Sequence, residues 1–182
     1  MNIRSLLAAT LVAAAWLMQP SAASAASKEE IDAKVKEAVE NFYKHTSAGR
    51  SLAGKAAGML VFPEVVKAGI GVGGEYGEGA LLVKGKPVAY YNTASASIGF
   101  QLGAQIKSQL ILFMNPKVLA DFRKSAGWKA GVDGSVALAT LGAGGEISTE
   151  TLKEPIIGFI FSNKGLMYNL TFEGSKISKI ER

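Results

Sequence analysis

The segment from Met59 to Val83, MLVFPEVVKAGIGVGGEYGEGALLV, limits the folds open to this chain more than any other stretch. Six glycines fall within eleven positions: Gly69, Gly71, Gly73, Gly74, Gly77 and Gly79. Between Ala68 and Gly74 glycine alternates with Ile70 and Val72, so an extended conformation has one apolar face and one nearly bare face. A bare face admits another backbone, a helix or a ligand at close range. Gly73-Gly74 also permits the positive φ of a bulge or tight bend. The expectation is a buried strand, a turn at Pro63 and a second, strongly curved strand.

Gly69, Gly71 and Gly74 match the G-x-G-x-x-G spacing of dinucleotide sites, but the context is wrong. That fingerprint needs a helix whose first turn meets pyrophosphate, whereas Glu75-Tyr76-Gly77-Glu78-Gly79 supplies two carboxylates and helix-breaking glycines. No Gly-Lys-Ser/Thr closes a glycine run, so a phosphate loop is excluded as well. The chain has one histidine, His45, and no cysteine. The usual zinc sets and any Cys-His relay are thereby removed, and no Gly-x-Ser-x-Gly elbow offers a nucleophile. His45 falls at the end of a predicted helix, where imidazole helps satisfy the last carbonyls. No cofactor is expected.

The N-terminus reads as a secretory signal peptide over Met1 to Ala26. Arg4 is followed by an apolar stretch from Leu6 to Met18, the break Gln19-Pro20 and small residues with A-x-A-like cleavage sites. The apolar run is about a dozen residues, short of the ~20 that span a bilayer. A lipoprotein would need a cysteine at the cleavage point. Residues 27 to 182 are therefore expected to be a single exported domain, periplasmic or secreted, held together without disulfides. The full chain carries 20 Lys+Arg against 15 Asp+Glu. Loss of Arg4 leaves 19 against 15, or +4. That balance suits an anionic surface, but it lacks the clustered charge of a nucleic-acid binder, and no stretch interleaves aromatic with basic residues.

Ser27 to Thr46 is predicted to be an amphipathic helix. Ser27 and Glu30 form a capping box, and Ile31, Val35, Ala38, Val39, Phe42 and Tyr43 recur at helical spacing. The opposite face bears Lys34, Lys36, Glu37, Glu40, Asn41 and Lys44, with Glu40 and Lys44 spaced to pair. Gly49 to Gly58 reads as a short helix or turn containing Arg50 and Lys55. Lys84-Gly85-Lys86-Pro87 is a hairpin turn, followed by strands at Val88 to Asn92 and within Ser95 to Met114. The unbroken apolar run Leu110 to Met114 fits a strand covered on both faces. Asn115-Pro116 opens a helix to about Ser125, with Val118, Leu119 and Phe122 inward. After a small-residue stretch from Gly131 to Gly145, strands are expected at Ile156 to Phe161, Leu166 to Phe172 and Lys176 to Ile180, with a turn at Asn163-Lys164-Gly165. The fold class is α+β: a strongly curved antiparallel β-sheet or partial barrel with an N-terminal amphipathic helix and one further short helix.

The run Met59 to Gly74, with its Phe-Pro-x-x-x-x-Ala-Gly-x-Gly-x-Gly-Gly motif, and then Gly77-Glu78-Gly79 resembles the signature of the SYLF domain family. So do Ser97-Ile-Gly99-Phe-Gln101-Leu-Gly103-Ala-Gln105, the Leu110 to Met114 run, and Ser162-Asn-Lys164-Gly165-Leu166 with Glu173-Gly174-Ser175. The resemblance spans roughly Ala33 to Ile180. It implies binding of anionic phospholipids, phosphoinositides in eukaryotic members, through basic residues of the N-terminal segment, and some eukaryotic members also bind actin. The positions it points to here are Lys34, Lys36, Lys44, Arg50 and Lys55. Two departures stand out. Ala56-Ala57-Gly58 replaces a lysine before the glycine in many members, and Tyr90-Tyr91-Asn92-Thr93 replaces the Trp-Ser-x-Pro of eukaryotic ones. An exported protein meets no cytosolic actin, and a phosphoinositide would be a host ligand.

Three functional readings follow. The first is an exported, non-enzymatic protein that meets anionic headgroups through the lysines of the helix and holds them against the glycine-lined sheet. The second is an envelope scaffolding protein that uses the glycine-rich sheet to bind another protein. The third is an enzyme or cation site built on Glu75 and Glu78, carboxylates three apart that would share one rim.

Overall fold

The computed structural model describes residues 26–99, 105–139, 147–162, 165–167, 170–172 and 174–182. The signal-peptide reading therefore lies outside the described residues except at Ala26. So do the middle of the 97–105 motif, the end of the small-residue stretch after Ala139, and the turn at Asn163-Lys164.

The segment Met59 to Val83 is not two strands with a turn. It is one 26-residue strand, β1 (Gly58–Val83). Pro63 does not end it, because the missing N–H is absorbed by an irregularity between Phe62 and Val65 in the pairing with β3 (Gln105–Phe113). The first limb of β1 pairs with β3 from Gly58↔Phe113 to Lys67↔Gln105. The second limb pairs with β2 (Lys86–Gly99) from Gly71↔Gly99 to Val83↔Lys86. Between the limbs the strand curls back on itself. A side chain on Gly77 would sit 2.6 Å from the Glu64 carbonyl oxygen, and one on Gly79 would overlap the Val61 carbonyl. The curvature expected from the glycines is present, and at Gly77 and Gly79 the space beside the glycine is filled by the chain's own backbone.

The β1–β2 hairpin closes through Lys84 (φ 52°) and Gly85 (φ 74°). Positive φ at both loop positions is the turn whose twist matches its flanking strands. β6 (Ile156–Ser162) pairs with β3, and β8 (Lys176–Ile180) with β2. Three two-residue strands complete the sheet: β4 (Trp128–Lys129) on β8, β5 (Ala137–Leu138) on β6, and β7 (Gly165–Leu166), also on β6. The order β4-β8-β2-β1-β3-β6-β5 is antiparallel except for β5 with β6, so the sheet is a mixed, strongly curled half-barrel. Of the strand expected from Leu166 to Phe172, the described pairing is at its start, Gly165–Leu166 on β6, with residues 168 and 169 outside the described ones; β4 had no strand-length pattern to announce it.

α1 (Lys28–His45) begins where the capping box places it, with the Glu30 N–H donating to Ser27 Oγ at 3.1 Å. Its stripe of Ile31, Val35, Ala38 and Phe42 packs on one sheet face, against Val61, Ala80, Leu82, Tyr90, Leu110, Leu112 and Phe159. The Phe42 and Phe159 rings meet edge to face at 4.8 Å between centroids. Tyr90, beneath the helix, donates through its hydroxyl to Asp32 Oδ1 at 2.9 Å. Burial, then that carboxylate, push its phenol up to about 12.

A helix not assigned with certainty from sequence, α2 (Ser47–Ala53), follows directly. The opposite face of the sheet is covered by α3 (Pro116–Lys124), whose N-cap Asn115 Oδ1 accepts from the Val118 N–H at 3.0 Å. Leu119 and Phe122 of α3, with Trp128 and Phe172, close over Leu60, Phe62, Leu81, Tyr91, Ile111 and Phe113. Leu110 to Phe113 thus alternate between two cores, which is why the run is apolar throughout.

Candidate functional site

α1 leaves a groove of about 710 Å³ along its edge, between the helix and the irregularity in β1. Helix residues Lys34, Glu37, Asn41 and Lys44 line one wall, and Pro63, Glu64, Ile106, Lys107 and Ser108 the other. The Ser108 hydroxyl donates to the Pro63 carbonyl at 2.7 Å, which ties the irregularity to β3.

The five basic residues singled out from the sequence do not form one patch. Lys34 reaches Glu30 and Glu64, each at 2.9 Å, and the hydrogen bond to Glu64 followed by that to Glu30 holds its ammonium well above the usual lysine range. Its charge is matched within the fold. Lys44 lines the same groove, is exposed, and has no carboxylate within 4.0 Å among the described residues; the expected Glu40 pair is not made, and Glu30 with Lys34 forms instead. Lys36 lies seven residues before Tyr43, on the same stripe of the helix and away from the groove. Arg50 stacks over the Tyr43 ring at 4.9 Å, extending that stripe onto α2. Lys55 is exposed just beyond α2. The structure therefore gathers Lys34 and Lys44 at the groove and sets Lys36 and Arg50 along the other flank.

Lys107 was missed in the sequence. It is buried, 4% exposed, and its ammonium lies 2.8 Å from Glu75 Oε2, while Lys67 approaches Glu75 Oε1 at 3.6 Å. Its alternation with Ile106 and Ser108 looked like an ordinary strand end, and only the curl of β1 reveals that its side of the strand is the enclosed one. Glu78 is held instead by Arg182 and by the Tyr76 hydroxyl, which donates at 2.8 Å. Glu75 and Glu78, three apart on a strand, point to opposite faces. They do not share a rim, and each is already matched by cations, which corrects the expectation of an acidic pair. Among the described residues no group of three or more His, Asp or Glu is placed to hold a metal ion, and no helix is long and apolar enough to cross a membrane.

Residues 94–181 match the family model described as Ysc84, Las17-binding protein actin regulator. The match over this part of the chain is consistent with a SYLF-domain family member. The match runs from within β2 through β8, so it covers β3, α3 and β6, while the resemblance read from sequence extends further back through β1 and α1. No curated protein matches the chain. SYLF domains are in general binding modules, associated with lipids and with protein partners.

Proposed function

We propose that this chain is an exported, non-enzymatic phospholipid-binding protein that associates with anionic membrane surfaces through the end of α1 and through α2. One observation carries this reading. From Asn41 to Pro63 the chain has Lys44, Arg50 and Lys55 and not one Asp or Glu. These three side chains are exposed, and no carboxylate lies within 4.0 Å of any of them among the described residues. Each exposed cation near an anionic surface contributes about 1 kcal/mol, so three produce weak, salt-sensitive association. Lys36, on the flank where Arg50 stacks over Tyr43, adds positive charge beside Arg50. Lys34 contributes least, because two glutamates already neutralise it.

Gly77 and Gly79, within the glycine-lined face, play no part in this mechanism. They lie against the backbone of Val61 and Glu64, which leaves no space there for a headgroup or a partner protein. The leader over Met1 to Ala26 would bring the domain to the periplasm or beyond it, where phosphatidylglycerol-type headgroups are the anionic ligands at hand.

Flotation of the protein, processed by its own host, with anionic and with neutral vesicles tests the reading. Binding only to anionic vesicles, abolished by combining Lys44→Glu, Arg50→Glu and Lys55→Glu, is the expected result. Equal recovery with neutral vesicles at low salt overturns it. Salt-resistant capture of one envelope protein without co-purifying lipid would favour the scaffolding role instead.

A further inference from the structure

At the curled end of β1 the usual arrangement of a sheet is reversed. Inside the curl stand Lys67, Glu75 and Lys107, at 15%, 12% and 4% side-chain exposure. Outside it stand Val66, Tyr76 and Ile106, at 42%, 48% and 62%. Tyr76 shares its parity with Ala80 and Leu82, and Ile106 with Leu110 and Leu112, all residues that α1 covers. Val66 is the register partner of Ile106, and Tyr76 that of Ala94, which is also exposed. The helix stops short, and the apolar face beneath it continues uncovered beside the groove, where Ile106 is a lining residue.

Polar-in, apolar-out alternation on paired strands is the pattern of sheets that face lipid, because the backbone groups are satisfied internally while the outer side chains meet hydrocarbon. Both limbs are paired here, Val65 to Lys67 with β3 and Gly71 to Tyr76 with β2. The same face has a charged border. In the row containing Tyr76 and Ala94, the next residue is Lys176 on β8, and directly opposite Lys176 is Lys129 on β4. Like charges opposite one another across a strand pair are destabilising unless an anion lies over them. Neither lysine has a carboxylate within 4.0 Å among the described residues.

We propose that the curled end of the sheet is a second membrane contact, in which Val66, Tyr76 and Ile106 enter the boundary between headgroups and acyl chains of an anionic leaflet while Lys129 and Lys176 meet its headgroups. This rests on the phospholipid-binding reading above and adds insertion to it. Tyr76 suits that depth, with an apolar ring and a hydroxyl already turned to Glu78. The two contacts differ in kind, since α1 and α2 supply charge that salt screens and the curl supplies apolar area that salt does not.

The test uses host-processed protein with vesicles of phosphatidylglycerol and phosphatidylcholine. An Ile106→Trp reporter is expected to shift to shorter wavelength on binding and to be quenched by brominated acyl chains; Trp128, 5% exposed, gives a constant background. Val66→Glu with Ile106→Glu, both at exposed positions, is expected to lower partition by about tenfold and to remove whatever binding survives high salt. Lys129→Glu with Lys176→Glu is expected to weaken binding at low salt only. If the protein floats with anionic vesicles while the reporter stays unquenched, insertion is refuted and headgroup binding stands. If it floats with no vesicle, both readings fall. If the Val66→Glu, Ile106→Glu variant instead turns a sedimenting dimer into a monomer, the face serves a second copy of the chain and the proposal is overturned.

Discussion

The two ends of β1 are built from the same alternation and reach opposite results. Near its termini, Leu60 and Leu81 face one core and Val61 and Leu82 the other, so both faces are apolar and α1 and α3 cover them. Around the curl, the enclosed face holds two lysines and a glutamate while the open face exposes Val66, Tyr76 and Ile106. Covering elements, more than residue hydrophobicity, decide which side of this strand is inside. The covered end is stabilised by burial and the curled end by charge matching, and the two respond differently to substitution.

The largest effect is expected where the limbs of β1 touch. Gly79→Val would drive a branched side chain into the Val61 carbonyl, and the loss should exceed about 4 kcal/mol, leaving little folded protein by circular dichroism. At the covered end, Phe42→Ala opens a cavity beside Phe159 and Phe161 and should cost about 3–5 kcal/mol in denaturant unfolding. At the curled end, Glu75→Gln leaves Lys67 and Lys107 facing each other without an anion. A loss of about 2–4 kcal/mol, partly restored by added salt, is expected; a loss that ignores salt would break the distinction between the two ends.

A smaller effect is confined to alkaline pH. The folded phenol of Tyr90 is raised to about 12 from 10.0, so its stabilisation is complete below pH 10 and is lost as pH rises toward 12. Wild-type stability should fall by about 2–3 kcal/mol across that window, and Tyr90→Phe should flatten the fall relative to wild type. The smallest change belongs to Lys34→Gln. Its ion pairs are solvent-exposed, and about half a kcal/mol, diminishing with salt, is the expected loss.

Local signals in the sequence were read with good fidelity. Ser27 and Asn115 begin the helices, Lys84-Gly85 turns the hairpin, and Leu110 to Phe113 serve both cores. These features depend on neighbours a few residues away. The failures are long-range. Pro63 looked like the end of a strand because nothing near it in sequence shows that β3 will accommodate an irregularity there. The glycine alternation from Ala68 to Gly74 indicated a close approach, but not that it falls at Gly77 and Gly79, against Glu64 and Val61 of the same strand. Lys107 could not be told from a surface lysine until the curl enclosed it. The candidate lysines were legible one by one, and their division between groove and flank follows from where α1 docks.

Because one continuous strand serves both limbs of the half-barrel, neither limb can choose its partner alone. A two-residue slip would keep every side chain on its own face and so escape the usual penalty for misregistration. Here such a slip brings Glu75 or Leu81 to the place of Gly77 or Gly79, where only a hydrogen atom fits. The pair of glycines therefore works as a key in a keyway: the sheet can be assembled in one alignment, and a near miss jams before it closes.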